Sequence, residues 1–443
     1  MRKISVFLLL LMLASAAFGQ TRVAPLNIKE RTLANGLKVV SVRDTSSPSV
    51  AVHVWYNVGS KNDPTDRNGF AHLFEHLMFK STKNMKSEML DRLTEDVGGN
   101  NNAFTSDDET AYHEQIPSNY LETLLWAEAD RMVNLNVDEA NFKSERAVVQ
   151  EEFRQSVLAQ PYGRFYEAIQ KLSFNVHPYK RTTIGTIENL EAASLDDVRK
   201  FYKDFYRPDD ATLIVVGDFD ETQFNRWVDK YFGRIPKPSG TIARVTEVEP
   251  ERTAERREVV KAPNVPLPAV AITYLAPPAR DKDTAALTVA QAILSGGESS
   301  RLYQQLVYKQ QIAQEAAFSL DDHVDKGLMY FTATLASGKT PAAAEKSLLA
   351  ELKKIQAAPV TAKELQKAKN SLVADAIRQI ETNQGKALAI GQSVILKNSA
   401  QAVNSEVKEL QAVTAADVQR VMKQYFTDKN RVVIYYENQG DAK

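Results

Sequence analysis

Two histidines stand four residues apart in the segment NGFAHLFEHLMFKST (68–82), with a glutamate directly before the second. The surrounding residues are helix-compatible and largely apolar, and on a helix a spacing of four puts His72 and His76 on one face. Two imidazoles so placed can bind one metal ion. Glu75 lies close enough on the same helix to serve as a general base for hydrolysis. The order is H-x-x-E-H, the inverse of the commoner H-E-x-x-H. The plainer alternative, two helix histidines satisfied by neighbours, is disfavoured because only six histidines occur in 443 residues.

A catalytic zinc wants three protein ligands and an open position, so a third ligand must come from elsewhere. His53, His113, His177 and His323 are available, as are many carboxylates. The strongest candidate segment is DEANFKSERAVVQEEFRQSVLAQP (138–161), which runs through helix formers from an acidic start to a proline stop. Glu145 and Glu152 are seven apart and fall within about 20° on a helical wheel, whereas Glu151 points about 120° away from Glu145. Glu152 could ligate the metal while Glu145 holds the other ring nitrogen of a histidine. Solvated charges on a surface helix would give the same pattern.

These elements must be carried by a fold, and composition bounds it. Lys and Arg total 55 against 56 Asp and Glu, a formal charge of -1, which leaves no electrostatic footprint for nucleic acid. Hydrophobic residues at 43% and charged residues at 25% describe a globular chain, and 443 residues exceed what one core usually holds, so two domains are expected. The start, MRKISVFLLLLMLASAAFGQ, has a basic end, an apolar run and small residues before Gln20. It has the form of a cleaved signal peptide, its apolar run being too short to span a bilayer, so the mature chain is expected to be exported, to the periplasm, without stable membrane insertion. There is no cysteine, which excludes disulfides, thiolate metal sites and a cysteine nucleophile.

The chain also repeats itself. SLDDVRKFYKDFYRPDDATLIVV (194–216) overlays TAADVQRVMKQYFTDKNRVVIYY (414–436), each a capped helix leading into a strand, and the same offset lays SVAVHVWY (49–56) over AVAITYLA (269–276). Between the halves, PKPSGTIARVTEVEPERTAERR (236–257) has linker composition. The organisation expected is a leader at 1–19, a first domain at 20–238, a linker at 239–260 and a homologous second domain at 261–443. The class is α+β, each domain an antiparallel sheet packed with helices, in a clam-shell arrangement.

HLFEH, GGNNNAFTSDDETAYHEQIP (98–117), SERAVVQEEF (144–153), HPYKRTTIG (177–185), LIVVGDF (213–219) and GGESSRLYQQL (296–306) together make the chain resemble the pitrilysin and mitochondrial processing peptidase family of inverted-motif zinc metallopeptidases, in its short two-domain bacterial form. The resemblance implies that His72, His76 and Glu152 bind Zn2+, that Glu75 is the general base and that Glu145 supports a ligand. It also implies that 98–117 supplies an edge strand on which an extended peptide substrate adds, with Asn102 and Ala103 at substrate-contacting positions.

The sequence departs from the family in its second half. At the repeat offset Ala292, Ser295 and Gly296 stand where the first half has His72, Glu75 and His76, so no second zinc site is expected. Family members active alone carry an Arg and, seven residues later, a Tyr; aligning QQLVYKQQIAQ (304–314) puts Val307 and Gln314 there. Neither replaces the lost donors, whose removal typically costs about 100- to 1000-fold. Arg301 and Tyr303 lie nearby in the wrong register. The expectation is an exported zinc endopeptidase subunit needing a homologous zinc-less partner, a heterodimer. The rival is a noncatalytic scaffold or peptide-binding subunit.

Overall fold

The computed structural model describes residues 23–440, so the leader at 1–19 lies outside the described residues. The first sheet is built from β1 (Lys29–Thr32), β2 (Lys38–Arg43), β3 (Ser49–Tyr56), β4 (Asn100–Thr105), β5 (Thr110–Pro117) and β6 (Ala211–Gly217), in the order β1-β2-β6-β3-β5-β4. The second is built from β7 (Arg256–Ala262), β8 (Ala269–Leu275), β9 (Ala313–Asp321), β10 (Leu328–Leu335) and β11 (Arg431–Asn438), in the order β7-β11-β8-β10-β9. Leaving out β1, the two orders superimpose strand for strand. Each sheet is antiparallel except for one parallel pair, β2 with β6 and β7 with β11.

The repeat is visible in the helices as well. Leu195–Phe205 and Ala415–Tyr425 each begin with a capping box, Ser194 with Asp197 and Thr414 with Asp417. In both, the hydroxyl satisfies one free N–H of the first turn while the carboxylate returns to the cap N–H. β7 starts at Arg256, inside the stretch expected to be linker, so the segment without helix or strand ends at Glu255. That segment is tied down: the buried Glu249 carboxylate accepts the N–H groups of Asn175, Val176 and His177 at 2.8–3.0 Å.

β6 and β8 are buried along their whole length, and β3 at all but its first residue, so both faces of each sheet are covered. On one face of the first sheet Val52, Val54, Leu213 and Val215 pack against Phe70, Phe74, Phe201 and Phe224 of the same half. The opposite face, with Val40, Ala51, Trp55 and Ile214, is covered by Ala387 and Ile390 of the helix Asn383–Lys397, which belongs to the second half. The exchange is reciprocal: Phe165 and Ile169 of the helix Gly163–Ser173 cover Ala269, Ala271, Val432 and Ile434 of the second sheet. The two exchanged helices occupy equivalent places in the repeat. The close approach at one of them needs glycine, because a Cβ on Gly391 would lie 2.0 Å from Trp55 Cε2.

Candidate metal centre

The helix Phe70–Leu77 is short, eight residues, and is fixed at both ends rather than by its own propensity. At its start Gly69 holds φ 98°, a left-handed conformation that favours glycine. Asp63 accepts the Gly69 and Ala71 N–H groups at 2.6 and 2.9 Å, satisfying donors that the first turn leaves free. Burial raises the Asp63 carboxyl to about 7 against these bonds and the nearby Arg181 charge. At the other end the Tyr112 hydroxyl donates to the Phe74 carbonyl at 3.0 Å. Phe70, Leu73, Phe74 and Leu77 go into the core, which leaves His72, Glu75 and His76 half-buried on the opposite face.

The facing helix, Glu139–Phe153, starts at Asp138, whose carboxylate accepts the Asn141 N–H at 2.8 Å. It buries Phe142, Val149 and Phe153 and turns Glu145 and Glu152 toward the histidines. Glu152 Oε2 lies 3.4 Å from His76 Nε2 and 3.6 Å from His72 Nε2, and the three ligand atoms fall within 4.8 Å of one another. Among the described residues this is the sole grouping of His, Asp and Glu with that closeness. Glu145 stands behind it, Oε2 3.6 Å from His76 Nδ1 and Oε1 2.8 Å from Lys80 Nζ. Glu151 turns outward to Arg154 and Gln155 at 3.3 and 3.1 Å.

The other four histidines are held elsewhere. His53 and His113 are bridged by Gln384 of the exchanged helix, at 3.0 and 2.7 Å. His177 lies 3.5 Å from Asp325, and His323 lies 3.3 Å from Asp108. Two nitrogens and a carboxylate oxygen, with no thiolate, match the donor set of a catalytic zinc site. The histidines also differ electrically. Burial and the neighbouring His76 lower His72 to about 4, keeping it neutral and ready to ligate. For His76 burial acts downward too, but the facing Glu145, Glu152 and Glu75 carboxylates outweigh it and raise the group.

Glu75 opens onto a cavity of about 540 Å³ with His72, Glu152, Phe104, Thr105 and Thr183. Its Oε2 accepts the Thr105 hydroxyl at 2.7 Å. Burial raises its carboxyl and the Glu152 charge adds to that, while the Thr105 bond and His76 work against it. A carboxyl tuned upward beside paired imidazoles is a stronger base than a free one. Thr105 ends β4, which among the described residues pairs with β5 alone, so β4 is a free edge of the sheet. Asn102 and Ala103 lie on it, Asn102 across from His113, and the Ala103 N–H is engaged by Asn102 Oδ1 at 2.8 Å.

In the second half the corresponding helix, Thr284–Ser295, carries no metal-binding side chain, and Ser295 Oγ accepts the Phe318 N–H. Val307 lies half-buried in the helical turn Tyr303–Lys309, and Gln314 is exposed on the edge strand β9. Arg301 forks onto Glu364 at 2.8 and 3.1 Å and is thereby committed to the fold. Asp63 and Thr105 are the contributors that sequence reasoning missed; the only local signal is that Asp63 precedes the segment 68–82 and Thr105 lies within 98–117.

Residues 38–187 match the family model described as Insulinase (Peptidase family M16), and residues 192–372 match the one described as Peptidase M16 inactive domain. The chain is 32% identical over 406 residues to the zinc protease PqqE of Helicobacter pylori, covering 91% of each. It is 25% identical over 408 residues to the probable mitochondrial-processing peptidase subunit beta of Arabidopsis thaliana, covering 90% of this chain and 76% of that one. A crystal structure of a protease from Helicobacter pylori superimposes with a TM-score of 0.90 at 31% identity, covering 94% of this chain and 100% of that one. The chain belongs to peptidase family M16, whose named relatives include zinc proteases.

Proposed function

We propose that this chain is the zinc-bearing catalytic subunit of an exported metalloendopeptidase that cuts extended peptides in the periplasm together with a homologous zinc-less chain. The observation that carries the reading is the convergence of His72, His76 and Glu152 beside Glu75, at the foot of a free edge strand. His72, His76 and Glu152 would hold the ion, and Glu145 would orient His76 through Nδ1. A bound zinc ion supplies Lewis acidity, polarising a carbonyl and lowering the pKa of a coordinated water. Glu75 takes the proton from the attacking water and delivers it to the leaving amide nitrogen. The substrate joins β4 by backbone pairing along Asn102 and Ala103, which selects for extended chains and tolerates varied side chains.

The partner is argued from what this chain lacks. Val307 and Gln314 occupy the places of an Arg and Tyr that family members active alone use on the substrate, and Arg301 is taken by Glu364. The resemblance to a protein named as a beta subunit supports division of labour between chains. The reading as a noncatalytic peptide-binding subunit draws on the second half's match to an inactive-domain model. Zinc content and cleavage of a fluorogenic peptide, with and without co-purifying chains, separate the two. One zinc per chain with cleavage that rises on adding the partner supports the enzyme, and no zinc with no cleavage in either sample supports the scaffold. Glu75→Gln should keep the zinc and lower cleavage by at least about 100-fold.

A further inference from the structure

We propose that the half without metal residues positions Glu75, through a buried clasp on the turn that ends β4. This rests on the peptidase reading above and adds to it the way the second half takes part. Thr105 is the last residue of β4, and its hydroxyl is the one that donates to Glu75. In the turn that follows, the Ser106 N–H donates to the Glu109 carbonyl at 2.8 Å and Ser106 Oγ accepts the Asp108 N–H at 3.1 Å. Thr105, opposite Thr110 of β5, runs directly into this turn, so a shift of the turn is passed to it.

Asp107 and Asp108 in that turn are 5% and 1% exposed, and adjacent carboxylates buried so deeply need partners. The first half provides some: the Ser60 hydroxyl donates to Asp107, and Lys61 Nζ and the Tyr179 hydroxyl each donate to Asp108 Oδ1 at 2.6 Å. Gln170 of the first half also donates to Asp107, at 3.5 Å, and further partners come from the second half, from the hairpin between β9 and β10. There the Val324 N–H donates to Asp108 Oδ2 at 3.0 Å, and His323 Nδ1 lies 3.3 Å from the same oxygen. The other ring nitrogen of His323 lies 3.3 Å from Asp321 and 3.7 Å from Asp107. The ring stacks on Tyr179 at 4.3 Å, and the Asp325 N–H donates to the Tyr179 hydroxyl at 3.2 Å.

His323 is 6% exposed and touches neither the cavity nor the histidine pair, so it is a positioning residue. The route runs from His323 to the Asp107–Asp108 turn, from the turn to Thr105, and from the Thr105 hydroxyl to Glu75. An effect of the second half on the proton-transferring group thus needs no second metal site.

The test compares the mature chain with His323→Gln, Thr105→Val, Thr105→Ser and the His323→Gln/Thr105→Val pair, by crystallography, zinc content and cleavage of a fluorogenic peptide, with the partner chain present if the parent needs it. In His323→Gln the Thr105–Glu75 contact should open beyond hydrogen-bond reach. Zinc should stay at one per chain, and kcat should fall by about 10- to 100-fold with KM within about twofold. Thr105→Val should behave alike, Thr105→Ser should restore most of the rate, and the double variant should lose no more than the worse single. An unmoved Thr105–Glu75 contact in His323→Gln, or losses that multiply in the double variant, would overturn the proposal. A parent chain without zinc or cleavage would instead remove the peptidase reading, and the crystallographic comparison would still decide whether His323 holds Thr105.

Discussion

Glu145 faces both His76 and Lys80 from a nearly buried position, and these two partners together with Ser144 hold its carboxyl below the usual range against the upward push of burial. A carboxylate so held orients the ring and raises its basicity toward a metal on the opposite nitrogen. Glu145→Ala should therefore weaken zinc binding by about 10- to 100-fold, read by competition with a chelator, while leaving the fold intact. The same charges give the binding a pH dependence of definite sign. His76 is raised, so its proton competes with the ion up to a higher pH than a free imidazole allows, whereas His72 at about 4 is already neutral. Apparent affinity should fall on acidification starting above pH 6.5, the ordinary histidine value, and an affinity flat from pH 8 to 5 would contradict this. The spacing of His72, Glu75 and His76 could be read locally, as helix geometry, whereas Glu145 and Glu152 were singled out from other carboxylates by the family resemblance; the fold brings Glu152 up to the two histidines. Asp63, Thr105 and His323 were not legible, because their partners are set by the fold: His323 meets Asp108 across 215 residues.

The exchanged helices dominate at the level of elements. Periodicity in Gly163–Ser173 and Asn383–Lys397 indicates that each buries a face, but not that the face belongs to the other half's sheet. β7 was hidden for a related reason: RREVVKA alternates exposed and half-buried positions on a sheet edge, so its composition resembles a linker. The exchange predicts measurable stability effects. Lys386 of the exchanged helix pairs with Asp44 of the first half and is the main cause lowering that carboxyl to about 2 from 3.8. A carboxyl depressed on folding stabilises the native state above its unfolded pKa and loses that effect as pH falls toward the folded one. Asp44→Asn should lower the melting temperature at pH 7, with the difference from the parent shrinking between pH 4 and pH 2 in calorimetry. Gly391→Ala, forcing a methyl against Trp55, should destabilise by about 1–3 kcal/mol in denaturant unfolding.

For the whole molecule, two copies of one sheet-and-helix unit have diverged into a half that bears the candidate ligands and a half that bears none. The repeat offset made this doubling legible in the sequence, while the parallel pair in each sheet and the mutual helix exchange became visible only with the strand pairings. The second half is nonetheless joined to the site, by Asn383–Lys397 across the back of the first sheet and by the His323 hairpin beside β4. On the proposed division of labour the substrate donors come from a homologous chain carrying the Arg and Tyr, so cleavage should rise by at least about 100-fold when that chain is added. At the centre of the proposed site stands one ion held by two residues of the helix Phe70–Leu77 and one of the facing helix Glu139–Phe153. A crystal grown with zinc and measured on both sides of the zinc absorption edge tests it most directly. The account predicts a single strong anomalous peak bonded to His72, His76 and Glu152 at about 2.0–2.2 Å. A peak elsewhere, or none between these three side chains at full zinc loading, would contradict it.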